Sequence, residues 1–149
     1  MVAARPLAPT LLTAALLFAL LAFACGGGAG QRAPATPVTP VNGVITMRAY
    51  EWGFDPPAVL LQPGEQVRLV LSNDGQVLHD LKVDGLQAQV INIQDNGPLS
   101  GGEGEVFLSA EPGHEASITF VAQEAGSFTF YCTIQPHRRL GMEGDLIVQ

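Results

Sequence analysis

Apolar and polar residues alternate over short runs through most of the chain after residue 43. In the run EQVRLVLSN, Val67, Leu69 and Leu71 fall on one face of a strand, because side chains alternate between the two faces. The turn-forming sequence QPG precedes this run and NDG follows it. Similar runs are VITMRAYEW, VLHDLKVDG, ASITFVA, GSFTFYCT and GDLIVQ. Short strands separated by Gly and Pro turns predict an all-β, antiparallel sandwich whose strand order the pattern leaves open.

The sequence also predicts the structure or burial of several residues outside these runs. Residues 86–104, LQAQVINIQDNGPLSGGEG, are irregular and acidic, which is typical of a long loop or one short helix. Trp52 and Phe54 lie near the first strand, and we expect both side chains in the core. His114, in EPGHEAS, has no donor neighbours in sequence, so we expect it at the surface.

An uncharged apolar run, LLTAALLFALLAFA, precedes the strands at residues 11–24. Its fourteen residues are fewer than the roughly 20 that a membrane-spanning helix needs. We therefore predict that residues 1–24 are a signal peptide, with an uncleaved membrane anchor as the alternative. Residues 25–43 are rich in Gly and Pro and lack periodicity, which predicts a flexible tether to a folded domain at residues 44–149.

Cys25 directly follows the apolar run and begins the sequence CGGGAG. This arrangement resembles a bacterial lipoprotein signal, although Leu21 stands one residue earlier than the usual Leu and Ala22 takes its place. The resemblance implies export, with a lipid on Cys25 holding the protein at the periplasmic or extracellular face of the cell membrane. The alternative is ordinary signal cleavage, which leaves Cys25 as a free thiol or removes it.

The chain carries 14 acidic and 7 basic residues, for a net charge of −7. Proteins that bind nucleic acid need clustered Lys and Arg, so this composition excludes nucleic acid as a partner.

Three residues with soft or borderline donor atoms lie close together near the C-terminus, in YCTIQPHRRLGMEGDLIVQ. Cys132, His137 and Met142 follow one another at intervals of five residues. Cys132 is in phase with Phe128 and Phe130 on an apolar strand face, so its thiol is predicted to point inward.

A second histidine is predicted to face the same core. His79 is in phase with Val77, Leu81 and Val83 in the run VLHDLKVDG. Pro136 discourages an uninterrupted strand after Cys132, and the nearby glycines permit tight bends. The segment from Cys132 to Met142 is therefore predicted to form a loop that presents its donors to one point together with His79.

This set of donors has a specific chemistry. One thiolate, two imidazoles and a weak axial thioether form a blue-copper electron-transfer site. Zinc favours a closed tetrahedral site and has little use for Met, and iron–sulfur clusters need more cysteines. The sequence therefore predicts one copper ion, cycling between Cu(I) and Cu(II), on His79, Cys132, His137 and Met142.

The residues LHD around His79 and FYCTIQPHRRLGMEGDLIV near the C-terminus resemble the cupredoxins, the family of plastocyanin, azurin and auracyanin. The four residues between Cys and His, and between His and Met, are most similar to auracyanin and rusticyanin. The resemblance covers about Val44 to Gln149. It implies a Greek-key β-sandwich with the metal at one end, under an apolar surface. Where the family commonly has Asn after the first His ligand, this chain has Asp80, which we expect to accept a hydrogen bond from Thr133.

These residues favour an exported mononuclear type 1 copper protein that carries single electrons. We expect a monomer whose partner is another redox protein, such as a cytochrome, an oxidase or a photosynthetic complex. His137 is expected to carry the ligand edge nearest the solvent. Pro136 and Leu140 flank it as an apolar docking patch, with Arg138 and Arg139 adding positive charge beside it.

Two other functions are alternatives to electron transfer. A copper-binding or copper-delivery module would use similar ligands, although such carriers often have Met- or His-rich tracts that this chain lacks. A relative of the multicopper oxidases would need further His ligands, and only His114 is spare. We expect no enzymatic activity, because no nucleophile–base pair is apparent and the four donors leave no open ligand position.

Overall fold

The computed structural model describes Met1 and residues 34–149. Within residues 34–149, the chain forms ten β-strands and one short 3-10 helix. These elements are β1 (Val44–Tyr50), β2 (Gly53–Asp55), β3 (Ala58–Leu61), β4 (Gln66–Asn73), β5 (His79–Val83), β6 (Ala88–Gln94), β7 (Phe107–Ala110), β8 (Glu115–Ala122), β9 (Gly126–Tyr131), the 3-10 helix (His137–Leu140) and β10 (Glu143–Val148).

Several predictions fall outside the described residues: the signal peptide, Cys25 and the first part of the tether. The compact unit begins at Pro34, within the stretch predicted to be tether. Val38 forms a parallel bridge with Val59 of β3, and its N–H donates to the carbonyl of Ala58 at 3.0 Å. Among the described residues, no helix is long and apolar enough to span a bilayer.

The strands form two five-stranded sheets, with the orders β2-β1-β4-β8-β6 and β3-β10-β9-β5-β7. The predicted all-β sandwich is confirmed, but both sheets are mixed, since β1 runs parallel to β4 and β3 runs parallel to β10. The expectation of purely antiparallel pairing was wrong because alternation of apolar residues is the same in parallel and antiparallel strands of this kind.

The core lies between the two sheets and follows the alternation in sequence. Val67, Leu69 and Leu71 of β4 are each at most 4% exposed, and Ile118 and Phe120 of the paired strand β8 are at most 1% exposed. Complete burial of such a side chain contributes about 1.5–3 kcal/mol, so these alternating positions supply much of the stability of the domain.

Three predictions about individual positions were wrong. Residues 88–94 form β6 rather than loop or helix, and a β-bulge between Val90 and Asn92 interrupts the alternation that would have identified the strand. Trp52 is 38% exposed because it lies in the turn between β1 and β2, although Phe54 is buried as expected. Val77 is 40% exposed because β5 begins only at His79.

The antiparallel pairing of β5 and β10 with β9 places the starts of β5 and β10 beside the end of β9, at one end of the second sheet. β9 pairs with β5 through Val83 and Phe130, and with β10 through Tyr131 and Glu143. Cys132 follows the end of β9, so the segment from Cys132 to Met142 joins β9 to β10 at this end.

Candidate metal centre

The segment that joins β9 to β10 is closed at its base by backbone hydrogen bonds. The N–H of Cys132 donates to the carbonyl of Met142 at 3.1 Å. The N–H of Met142 donates to the carbonyl of His137, also at 3.1 Å. These two bonds place Met142 beside both other donor residues of the loop. The predicted return of the chain toward Cys132 is therefore present in the structure.

A short 3-10 helix holds His137 within this loop. The N–H of His137 donates to the carbonyl of Ile134 at 2.8 Å. Gly141 ends the helix with a φ of 114°, and its N–H donates to the carbonyl of Arg138. A positive φ of this size favours glycine, so Gly141 is the residue that allows the chain to reverse before Met142.

The structure brings three of the four predicted ligands to one point. One donor atom from each of His79, Cys132 and His137 lies within 4.8 Å of the others. Sγ of Cys132 is 3.3 Å from Nδ1 of His137. The three residues are 0%, 1% and 6% exposed, and Met142 at the base of the same loop is 0% exposed.

The protonation of these groups suits a metal ion. Burial, followed by the nearby His137, lowers the pKa of His79, so the imidazole is neutral and its lone pair is available. Burial raises the pKa of the Cys132 thiol to about 12, so the thiol keeps its proton at neutral pH without a metal. A cation bound here must therefore displace that proton, as thiolate-binding metals do.

His79 provides a direct test of whether a metal fits. Both ring nitrogens are buried, and neither has a hydrogen-bond partner among the described residues. Buried polar atoms are almost always hydrogen-bonded, so an imidazole with two unpartnered nitrogens requires an explanation. A soft or borderline cation held jointly with the Cys132 sulfur accounts for one of the two nitrogens, and the set of two imidazoles, a thiol and a thioether fits copper.

Asp80, in the neighbouring strand β5, braces the start of the loop through hydrogen bonds. The N–H of Thr133 donates to Oδ1 of Asp80 at 2.6 Å, and the Thr133 hydroxyl donates to Oδ2. Asp80 is 0% exposed and adjoins His79, while Thr133 adjoins Cys132. The expected hydrogen bond between these two residues is present, and it ties β5 to the start of the loop.

Two residues at the site were not predicted from the sequence, and both belong to the turn between β1 and β2. Oε1 of Glu51 accepts the N–H of Gln76 at 2.6 Å and lies 3.5 Å from Nε2 of His79. The Trp52 ring lies 4.6 Å from that of His137 and 6.2 Å from that of His79, between centroids. The backbone bond from Gln76 is the largest cause that lowers the pKa of Glu51, so the group is a carboxylate at neutral pH.

The predicted docking residues surround His137 at the surface. Pro136, Arg138, Arg139 and Leu140 are all exposed. His137 itself is 6% exposed, which makes it the most exposed of the four predicted ligands although it is buried. The charge of Arg138 is engaged locally, because its Nε donates to Glu143 at 3.0 Å and its guanidinium lies 4.0 Å above the Tyr131 ring.

The remaining histidine, His114, lies at the surface as expected. His114 is exposed, and its Nδ1 is 3.0 Å from the carbonyl oxygen of Pro112. Within the described residues, His79, Cys132 and His137 form the one group of His, Cys, Asp and Glu that is arranged to hold a metal ion.

Comparisons with known proteins agree with this geometry. The family model described as copper binding proteins, plastocyanin/azurin family, matches residues 42–149. Auracyanin-A of Chloroflexus aurantiacus is 29% identical over 147 residues, covering 87% of this chain and 90% of the relative. The copper-resistant cuproprotein CopI of Pseudomonas aeruginosa is 28% identical over 127 residues, covering 64% of this chain and 70% of the relative.

The fold is also shared with solved structures. A crystal structure of dithionite-reduced auracyanin from Roseiflexus castenholzii superposes with a TM-score of 0.57 at 17% identity, covering 72% of this chain and 97% of that one. The resemblance to cupredoxins of the auracyanin type is therefore confirmed, and with it a single copper as the cofactor. With its donors assembled at one end of a two-sheet sandwich, the chain belongs to the plastocyanin/azurin family of copper-binding proteins.

Proposed function

We propose that this protein carries single electrons between redox partners at the outer face of a bacterial membrane. The observation that carries the proposal is the buried assembly of His79, Cys132 and His137 within 4.8 Å, closed by the loop that ends at Met142. Copper bound there supplies a one-electron couple between Cu(I) and Cu(II).

The protein's part is to hold the donors in nearly the same places in both oxidation states. Cys132, His79 and His137 would be the strong ligands and Met142 the weak one. Backbone bonds across the loop and the pair of bonds from Thr133 to Asp80 restrict the movement of these residues. Because four protein donors leave no position for a substrate, we propose an electron carrier rather than an enzyme.

We propose that the redox partner docks over His137. The surface there combines exposed Leu140, which is 50% exposed, with Trp52 packed on the imidazole. Arg139 adds positive charge, while that of Arg138 is paired with Glu143. Arg139→Glu should therefore slow electron transfer to the native partner at low salt and leave the copper spectrum unchanged. A rate equal to that of the wild type at both low and high salt would exclude this face.

The location rests on the sequence of the leader. We propose that the protein is exported and lipid-anchored through Cys25, because this residue directly follows the apolar run at residues 11–24. Full-length protein from a lipoprotein-competent bacterium should partition into detergent, and Cys25→Ala should abolish lipid labelling. Unlabelled wild type in a soluble periplasmic fraction would instead indicate ordinary cleavage.

Voltammetry of the copper-loaded protein tests the proposed function. We expect a reversible one-electron couple and rapid electron exchange with a small inorganic oxidant, since the ligands are already assembled. A centre that binds copper but shows no reversible couple would contradict an electron-carrying role.

The similarity to the copper-resistant cuproprotein CopI favours a second candidate, a module that binds or delivers copper without redox partners. Delivery requires release of the metal, whereas electron transfer requires its retention. A Cu(I) chelator separates the two, because a carrier whose ligands are at most 6% exposed should lose copper slowly. Rapid loss to the chelator, with slow electron exchange, would favour delivery.

A further inference from the structure

The turn between β1 and β2 places a carboxylate beside the outer side of His79. Oε1 of Glu51 lies 3.5 Å from Nε2 of His79, and the Glu51 side chain is 30% exposed while the His79 side chain is 0% exposed. The carboxylate is held there by the N–H groups of Gln76 and Val77, which it accepts at 2.6 and 3.3 Å. Glu51 therefore has a defined position next to a buried imidazole.

Space at Gly75 shows which ring nitrogen faces this carboxylate. A Cβ added at Gly75 would lie 2.6 Å from Oε1 of Glu51 and 2.8 Å from Nε2 of His79. Nε2 and the carboxylate thus lie side by side over a position where an added Cβ would have to displace them. Nε2 faces outward to Glu51, which leaves Nδ1 as the nitrogen directed to the other donors.

We infer that Glu51 is a positioning residue that accepts a hydrogen bond from Nε2–H of His79 when Nδ1 holds the copper. The inference rests on the proposed function and adds to it a carboxylate that sets the behaviour of one ligand. Metal-ligating histidines almost always donate their second N–H to a carboxylate, a carbonyl or water, which fixes the ring and raises its basicity. Among the described residues, no other protein atom satisfies this nitrogen.

The sign of the effect follows from charge. A carboxylate that accepts from Nε2–H increases electron donation by the imidazole and adds negative charge near the metal. Both effects stabilise Cu(II) more than Cu(I), so Glu51 lowers the reduction potential.

Glu51 also braces the chain before His79, and this structural role must be separated from the proposed one. Gln retains an oxygen that can accept the N–H groups of Gln76 and Val77, but it carries no charge. Glu51→Gln therefore keeps the brace and weakens only the effect on His79. Glu65→Gln is the matched control, because Oε2 of Glu65 also accepts a backbone N–H, that of Gln62 at 3.3 Å. Glu65 directly precedes β4, at the end of that strand far from the metal centre. The eight residues of β4 separate it from the end near the centre by about 25 Å.

The experiment measures the reduction potential of copper-loaded wild type, Glu51→Gln and Glu65→Gln, together with thermal unfolding of the copper-free proteins. We expect Glu51→Gln to bind Cu(II) about tenfold more weakly and to leave Cu(I) binding nearly unchanged. A tenfold change raises a one-electron potential by about 59 mV. Glu65→Gln should match the wild type. A potential for Glu51→Gln equal to that of Glu65→Gln would overturn the inference and leave Glu51 as a structural brace alone.

A second variant decides the matter if Glu51→Gln does not fold. Glu51→Asp keeps the charge but shortens the side chain by one methylene, which withdraws the carboxylate from Nε2 of His79, now 3.5 Å away, and leaves the ring in place. The potential should again rise, and an unchanged potential would contradict the inference. Failure of the proposed function is distinct from either result, because wild type would then show no reversible couple at all.

Discussion

Two segments of the chain meet at the metal centre and contribute in different ways. The loop from Cys132 to Met142 contains three of the four predicted ligands and is closed by its own backbone hydrogen bonds. The turn between β1 and β2 contains no predicted ligand, yet its Glu51 and Trp52 contact both imidazoles. This difference implies that the strong donors of the loop, Cys132 and His137, determine whether copper binds, and that the turn adjusts the reduction potential and the accessibility of the bound metal.

His79 lies where the two segments meet. It begins β5, and it approaches the loop through the Asp80 bonds to Thr133 and the turn through Glu51. Loss of Cys132 or His137 should therefore change the type of metal centre, whereas changes to the weak ligand Met142 or to the turn should alter its reduction potential or its accessibility.

The loop should lose its function when its thiol is replaced. We expect Cys132→Ser to abolish the intense visible band, because a hydroxyl cannot supply the thiolate-to-copper charge transfer, and to weaken copper binding strongly. Absorption spectra of the copper-loaded variant provide the measurement, with thermal unfolding of the copper-free form as the control for folding. A variant that stays intensely coloured would remove Cys132 from the site.

The brace between β5 and the loop should have the next largest effect. Asp80→Ala leaves the N–H and hydroxyl of Thr133 without their acceptors, which should cost about 2 kcal/mol of unfolding free energy. Asp80→Asn is the control, since its amide can accept from the N–H and donate to the hydroxyl. Denaturant unfolding of both copper-free variants checks this, and equal stability of the two would contradict a bracing role.

Met142 should change the potential rather than the binding. A weak ligand tunes a blue-copper centre, so Met142→Gln, with a harder oxygen donor, should lower the potential and Met142→Leu should raise it. We expect each shift to reach at least the size of a tenfold change in relative affinity, about 59 mV for one electron. Voltammetry that shows no shift in either variant would exclude Met142 as a ligand.

The turn should control access to the centre. Trp52→Ala removes the ring that packs on His137, so a chelator should remove copper several-fold faster while the visible band persists. Tyr50→Ala is the matched control, because Tyr50 is an aromatic residue at the end of β1, beside this turn, and is 42% exposed. Similar chelation rates for the two variants would show that Trp52 does not cover the site.

The same division explains how much could be predicted from the sequence. The loop donors lie within eleven residues, with Pro and Gly at the positions where the chain turns. Their spacing was therefore enough to predict that they bind one metal ion together. The phase of His79 with Leu81 and Val83 in one strand was also readable, and all three are buried.

The turn could not be predicted in this way, because Glu51 reaches His79 only through the parallel pairing of β1 with β4. Parallel and antiparallel partners leave the same alternation in sequence, so no spacing reports this contact. Trp52 was misplaced for a related reason, since a residue in a turn has no strand face to set its exposure. β6 was missed because it is an exposed edge strand with a bulge after Val90.

A copper titration followed by visible absorption and electron paramagnetic resonance shows whether the protein holds one type 1 copper. We expect the thiolate-to-copper band to grow linearly with added Cu(II) and to saturate at one copper per protein, with a single type 1 signal. The absence of the band in the folded protein, or saturation at two coppers, would contradict a mononuclear centre built on His79, Cys132, His137 and Met142.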